Sequence, residues 1–208
     1  RLVDWVGGGG MVSVCGIFGD TGLKDFAGGV VVHETAGLAA LVIAVLLGAR
    51  RNKTTPPHNP GFVMLGAAML WVGWFGFNGG SQLAADGGAA MALAVTHISA
   101  AAASLTWALW ERIKYGKASL VGMVTGTIAG LATITPSSVF FCPLYSLFIF
   151  SVSFIIFQFS FIFFRITFII DDTLYFFAVH FFFFIFFTIM LSFFFSFTLA
   201  SLLVFFFL

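Results

Sequence analysis

Two histidines stand at the same distance from an acid in an otherwise apolar chain. Asp25 precedes His33 by eight residues, and Asp172 precedes His180 by eight. An imidazole donates and accepts hydrogen bonds and titrates near neutral pH. Two such rings sharing a hydrogen bond give a small polar molecule a stepping stone and can relay a proton. Ionisable side chains inside membrane-length apolar segments are costly, so they are functional candidates by default. One spacing repeated in separate spans suggests the internal repeat of a transporter. Cations, for their part, are held by aromatic faces and by hydroxyl or carbonyl oxygens. Trp74, Phe77 and Ser81 supply that chemistry near the end of one apolar run.

Each of these residues also has a plainer reading. Trp74 suits a headgroup-level anchor, and Asp25 suits a helix cap, where free N–H groups and the dipole favour a carboxylate. His97 lacks a partner at matched spacing and reads as a packing residue. His58 sits in a basic loop and reads as solvated.

The elements that must position these groups are membrane helices. The chain has 208 residues, 61% hydrophobic and 8% charged, against about a quarter charged in soluble domains. At about 20 residues per span there is room for six or seven helices. The net charge of +1 and the sparse basic residues give no nucleic-acid surface. Cys15 and Cys142 lie far apart and imply neither a disulfide framework nor a metal site. Arg1 stands where an initiator Met would be, and the chain reads as a piece of a longer one.

The expected spans are 26–47, 61–81, 89–110, 119–134, 144–164 and 174–190, with a seventh beginning at 192. Residues 1–24 are Gly-rich and read as a loop capping the pore mouth or as the end of an upstream helix, and Glu111 opens an expected charged loop that runs to Lys117. Gly122, Gly126 and Gly130, four apart, make a smooth face where helices approach closely. Basic residues cluster at Arg50, Arg51 and Lys53 and again at Arg112, Lys114 and Lys117. The positive-inside rule puts both loops in the cytoplasm and the Asp86 turn outside. The Asp25 and Asp172 helices then run antiparallel, as an inverted repeat requires.

Composition divides the chain into 1–138 and 139–208. The second part holds 26 of the 31 phenylalanines and no glycine. Residues whose codons begin with G are scarce there. That is the pattern expected if Gly, Val and Ala codons had been read with T in place of G, and resequencing the source DNA tests it.

Taken together, these segments resemble the ammonium transporter family (Amt/Mep/Rh). Asp25-Phe26-Ala27-Gly28-Gly29 with Val31-Val32-His33 is similar to that family's fifth helix. Gly73-Trp74-Phe75-Gly76-Phe77-Asn78 with Gly80-Ser81 is similar to its sixth, and Gly116-Lys117-Ala118-Ser119-Leu120 through Thr135-Pro136 to its seventh and eighth. Residues 1–138 thus match helices five to eight. Residues 139–208 give a degraded match to helices nine to eleven, with Phe177-Ala178-Val179-His180 as the second pore histidine. Phe181 stands where the family has Gly, and Gly7 where it often has Trp.

The resemblance implies an all-α integral membrane protein, part of an eleven-helix inverted-repeat transporter. It implies a pore lined by His33 and His180, an ammonium site and gate at Trp74, Phe77 and Ser81, and structural support from Asp25 and Asn78. It further implies transport of ammonium or ammonia across the plasma membrane without cofactor or metal. A homotrimer and a cytosolic regulator of the PII type complete the picture. An ammonium sensor, or a neutral-gas channel of the same family, fits equally. An intramembrane hydrolase is the reading from another class, although His33-Glu34 is not followed by the second His of a His-Glu-x-x-His site. A piece without function of its own is the remaining alternative. The upstream helices are absent, and the Phe-filled tail would clog a pore.

Overall fold

The computed structural model describes residues 25–48, 56–140, 142–144 and 147. His180, the Asp171–Asp172 pair, the Arg50–Lys53 loop and nearly all of the Phe-rich part lie outside them. Among the described residues the chain forms four long helices and no strand.

The first helix, α1, spans Val30–Leu47. It begins four residues later than the apolar pattern suggests. Gly28 adopts φ 79°, which only glycine takes readily, so the chain turns before it coils. The Asp25 carboxylate accepts from the amides of Gly29 (2.7 Å) and Val30 (3.0 Å), satisfying N–H groups at the helix start. Only the later part of the Asp25-to-His33 interval is therefore helical. The first turn, Val30–Glu34, is wound as a π-helix.

Helix α2, Pro60–Gly80, starts with proline at its first position, where the missing N–H is no loss. The Asn59 side chain caps it through the Phe62 amide at 3.1 Å. Helix α3, Gly87–Tyr115, is capped by Asp86, which accepts from Gly88 and Ala89. It overruns the sequence expectation, because the charged stretch opened by Glu111 continues as helix to Tyr115. Glu, Arg and Lys are good helix formers, and Arg112 and Lys114 fall in the last turn, where the dipole favours cations. Gly116 at φ 79° ends the helix. Helix α4, Leu120–Ile134, is capped by Ser119 on the Gly122 amide and runs into a 3-10 turn, Thr135–Ser137.

Helices α3 and α4 lie against each other along the glycine face. A Cβ on Gly126 would come within 2.8 Å of the Ala103 carbonyl, and one on Gly130 within 2.5 Å of the Ser99 carbonyl. Ser99 donates to the Gly130 carbonyl (2.6 Å) and Ser104 to the Met123 carbonyl (3.2 Å). Small residues let the backbones meet, and hydroxyls then bridge them. The Phe26 amide donates to the Pro136 carbonyl at 2.8 Å. This joins the start of α1 to the end of α4, so the helices alternate in direction. All four, α4 together with its 3-10 turn, are long and apolar enough to cross a membrane.

Candidate functional site

His33 is buried at 4% exposure in the π-wound turn of α1. Such turns recur at functional sites because the extra residue re-aims a side chain. Its imidazole stacks on Trp74 of α2, centroids 5.2 Å apart and planes 19° from parallel. Phe77, one turn further along α2, lies tilted 6.2 Å from His33 and 6.0 Å from Trp74. The three rings form one cluster between α1 and α2.

The Trp74 indole is held from a third direction. Its Nε1–H donates to the Thr135 hydroxyl at 2.8 Å, and that hydroxyl donates to the Leu131 carbonyl at 2.9 Å. Thr135 is fully buried. Sequence reasoning assigned it no role, although it stood in the Thr135-Pro136 pair used for the resemblance. Nothing local announces a bond to a residue 61 positions away.

Ser81 closes α2, and its hydroxyl donates to the Phe77 carbonyl at 2.7 Å. Its proton is thereby engaged and its lone pairs are left as acceptors, which suits a cationic donor. Asn78 points elsewhere. Fully buried, it donates from Nδ2 to Thr96 of α3 at 2.9 Å, while Thr96 donates to the Ala92 carbonyl. It ties α2 to α3. Its Oδ1 has no hydrogen-bond partner among the described residues. Asp25 caps α1, as described above. Burial pushes its carboxyl up to about 6, against the opposing pull of the Gly29 and Val30 amides.

His97 is exposed on α3, tilted 5.3 Å from Trp71 and 6.0 Å from Phe75 of α2. The expected buried packing residue is therefore a surface one. His58 is exposed ahead of α2. Among the described residues no group of three His, Cys, Asp or Glu side chains could hold a metal ion. What is assembled is a cluster of two aromatic rings and an imidazole with one hydroxyl acceptor on the same helix. That suits the passage of a small polar species better than bond-breaking chemistry.

The sequence profile of the Ammonium Transporter Family matches residues 2–203. The ammonium transporter of Aquifex aeolicus is 40% identical over 179 residues, covering 86% of this chain and 41% of that protein. The ammonium transporter of Bacillus subtilis is 45% identical over 149 residues, covering 71% and 35%. Among solved structures, Candida albicans Mep2 superposes with a TM-score of 0.74 at 34% identity, covering 86% of this chain and 39% of that one. A sensor Amt protein superposes with a TM-score of 0.76 at 31% identity, covering 83% and 45%. The chain thus spans about a third to under half of the length of its relatives. The Aquifex and Bacillus relatives bear the name of transporters, not enzymes, and with the four apolar helices the matches make this a multi-pass membrane protein carrying part of that fold.

Proposed function

The chain belongs to the ammonium transporter family, and from that premise we propose that it supplies the entrance half of an ammonium route. A cation is recruited where Trp74, Phe77 and Ser81 converge. It gives up a proton to water at that outer site, neutral ammonia passes along His33 towards His180, and the proton follows along the two imidazoles. Dragging a charge through hydrocarbon is costly and a small neutral molecule escapes that cost, so an aromatic outer site followed by an apolar passage is the economical order. The observation that carries the reading is the His33 stack: a buried imidazole flat on Trp74 with Phe77 alongside.

The same reading makes residues 1–138 the fifth to eighth helices of an inverted repeat and residues 139–208 a degraded ninth to eleventh. It puts the Arg112–Lys117 end in the cytoplasm, where a PII-type regulator would meet it. The whole protein is then a homotrimer in the plasma membrane. A sensor role is the second reading, favoured by the superposition on a sensor Amt protein.

Electrical recording under an ammonium jump tests the proposal in the full-length protein that carries this segment. Replacing His33 by Ala should abolish charge movement or let potassium pass. Unchanged currents together with unchanged exclusion of potassium would reduce His33 to packing. Ammonium binding without flux in the parent would favour the sensor.

A further inference from the structure

We infer that Thr135 masks the Trp74 indole N–H, so that neutral ammonia passing the His33 stack meets an apolar face rather than a hydrogen-bond donor. The inference rests on the function proposed above. An indole N–H is a donor only, and ammonia carries a lone pair that accepts. An indole with its N–H free in a narrow apolar passage would hold the molecule it is meant to let by. Thr135 removes that trap in a way its chemistry dictates. Its one hydroxyl proton goes to the Leu131 carbonyl (2.9 Å), which leaves a lone pair aimed at Trp74 Nε1 (2.8 Å).

Because Thr135 is fully buried, no bulk water competes for that lone pair. The bond also fixes the plane of the indole, which keeps it within 19° of the imidazole. Pairing of a buried indole is not automatic here. Trp71, one turn earlier on α2, has its Nε1 buried with no hydrogen-bond partner among the described residues. Of these two tryptophans on α2, only the one stacked on His33 has an acceptor among the described residues. Thr135 is a positioning residue, acting through Trp74.

The test compares Thr135→Val, isosteric but without the hydroxyl, with Thr135→Ser in the full-length protein. Proton–nitrogen NMR gives one indole signal per tryptophan, and Trp74→Phe assigns the relevant one. In T135V the Trp74 N–H should lose its protection from solvent exchange at least about tenfold, and the His33 ring protons should lose the upfield shift caused by the stacked indole. With the donor unmasked, KM and kcat for ammonium should fall together, KM by about threefold to tenfold, the worth of one hydrogen bond. T135S should match the parent in every readout.

An unshifted Trp74 signal in T135V overturns the inference, as does a freed indole with KM and kcat unchanged. Failure of T135S to match the parent overturns it too, and that arm stands even if T135V does not fold. Normal transport by W74F would instead sink the underlying assignment of the site. Altered transport in W74F with normal transport in T135V would sink the role of Thr135 alone.

Discussion

Helices α3 and α4 meet backbone to backbone, whereas α1 and α2 meet across rings. Along the first seam Gly126 and Gly130 leave no room for a methyl group, and serine hydroxyls reach the facing carbonyls. Along the second, His33, Trp74 and Phe77 fill the gap, and most of α2 is otherwise exposed, with Phe62, Met69 and Val72 each at about 70%. Both seams are built from apolar helices. The glycine seam fixes a distance and makes a scaffold. The ring seam sets facing planes. The candidate site lies on the second kind and is braced by the first.

The largest expected effect separates the two seams outright. Gly130→Leu puts a side chain where a Cβ alone would lie 2.5 Å from the Ser99 carbonyl. It should destabilise by about 3 kcal/mol or more, since overpacking forces the backbones apart. Gly73→Leu on α2, where nothing lies within 4 Å, should stay within about 0.5 kcal/mol. Unfolding midpoints in detergent and denaturant check the pair, and equal losses would erase the distinction.

Next comes the start of the ring seam. Asp25→Ala removes the acceptor of both α1 cap amides and should cost about 1–2 kcal/mol, while Asp25→Asn keeps an acceptor and should cost far less. Because the folded carboxyl sits at about 6, above the ordinary value near 3.9, the native state binds the proton more tightly. The stabilisation from this group is full below about pH 4 and is lost as pH rises through the folded value. Stability measured from pH 4 to 7 should fall less steeply in Asp25→Asn than in the parent. Identical slopes would mean that burial does not govern this carboxyl.

A smaller effect is expected at the far end of the scaffold. Glu111 accepts from the Ser119 amide (2.6 Å) and hydroxyl (3.0 Å) and from Trp107 Nε1 (3.2 Å), lying over the space that Gly122 leaves. Ser119→Ala loses the α4 cap and should cost about 1 kcal/mol. Hydrogen exchange should quicken only in the first turn of α4. Spread of that loosening to α1 would show that the two seams are not separable. The smallest effect is Gly73→Ala, expected to stabilise by about 0.5 kcal/mol through helix propensity alone, read from the same unfolding midpoints.

Much of this was legible in the sequence, for reasons that are local. Long apolar runs bounded by Gly, Pro and charges can only become helices in a bilayer, because every backbone group must be satisfied within its own segment. That gave the four described spans to within a few residues, and the four-residue glycine spacing gave the tight seam. Trp74 and Phe77 could be nominated because aromatic rings beside a serine announce cation chemistry by type. Where local signals compete, the reading slipped. Hydropathy took Glu111–Tyr115 for a loop, since it reports affinity for water and is blind to the helical backbone beneath charged side chains.

Other decisions were tertiary. The π-wound turn that aims His33, the tilt of Asn78 towards Thr96, the exposure of His97 and the Thr135 hydroxyl on Trp74 depend on which helix faces which. A side chain's type and spacing state what it can offer. The residue across the seam decides whether that offer is taken, and for Trp74 that residue lies 61 positions further along the chain.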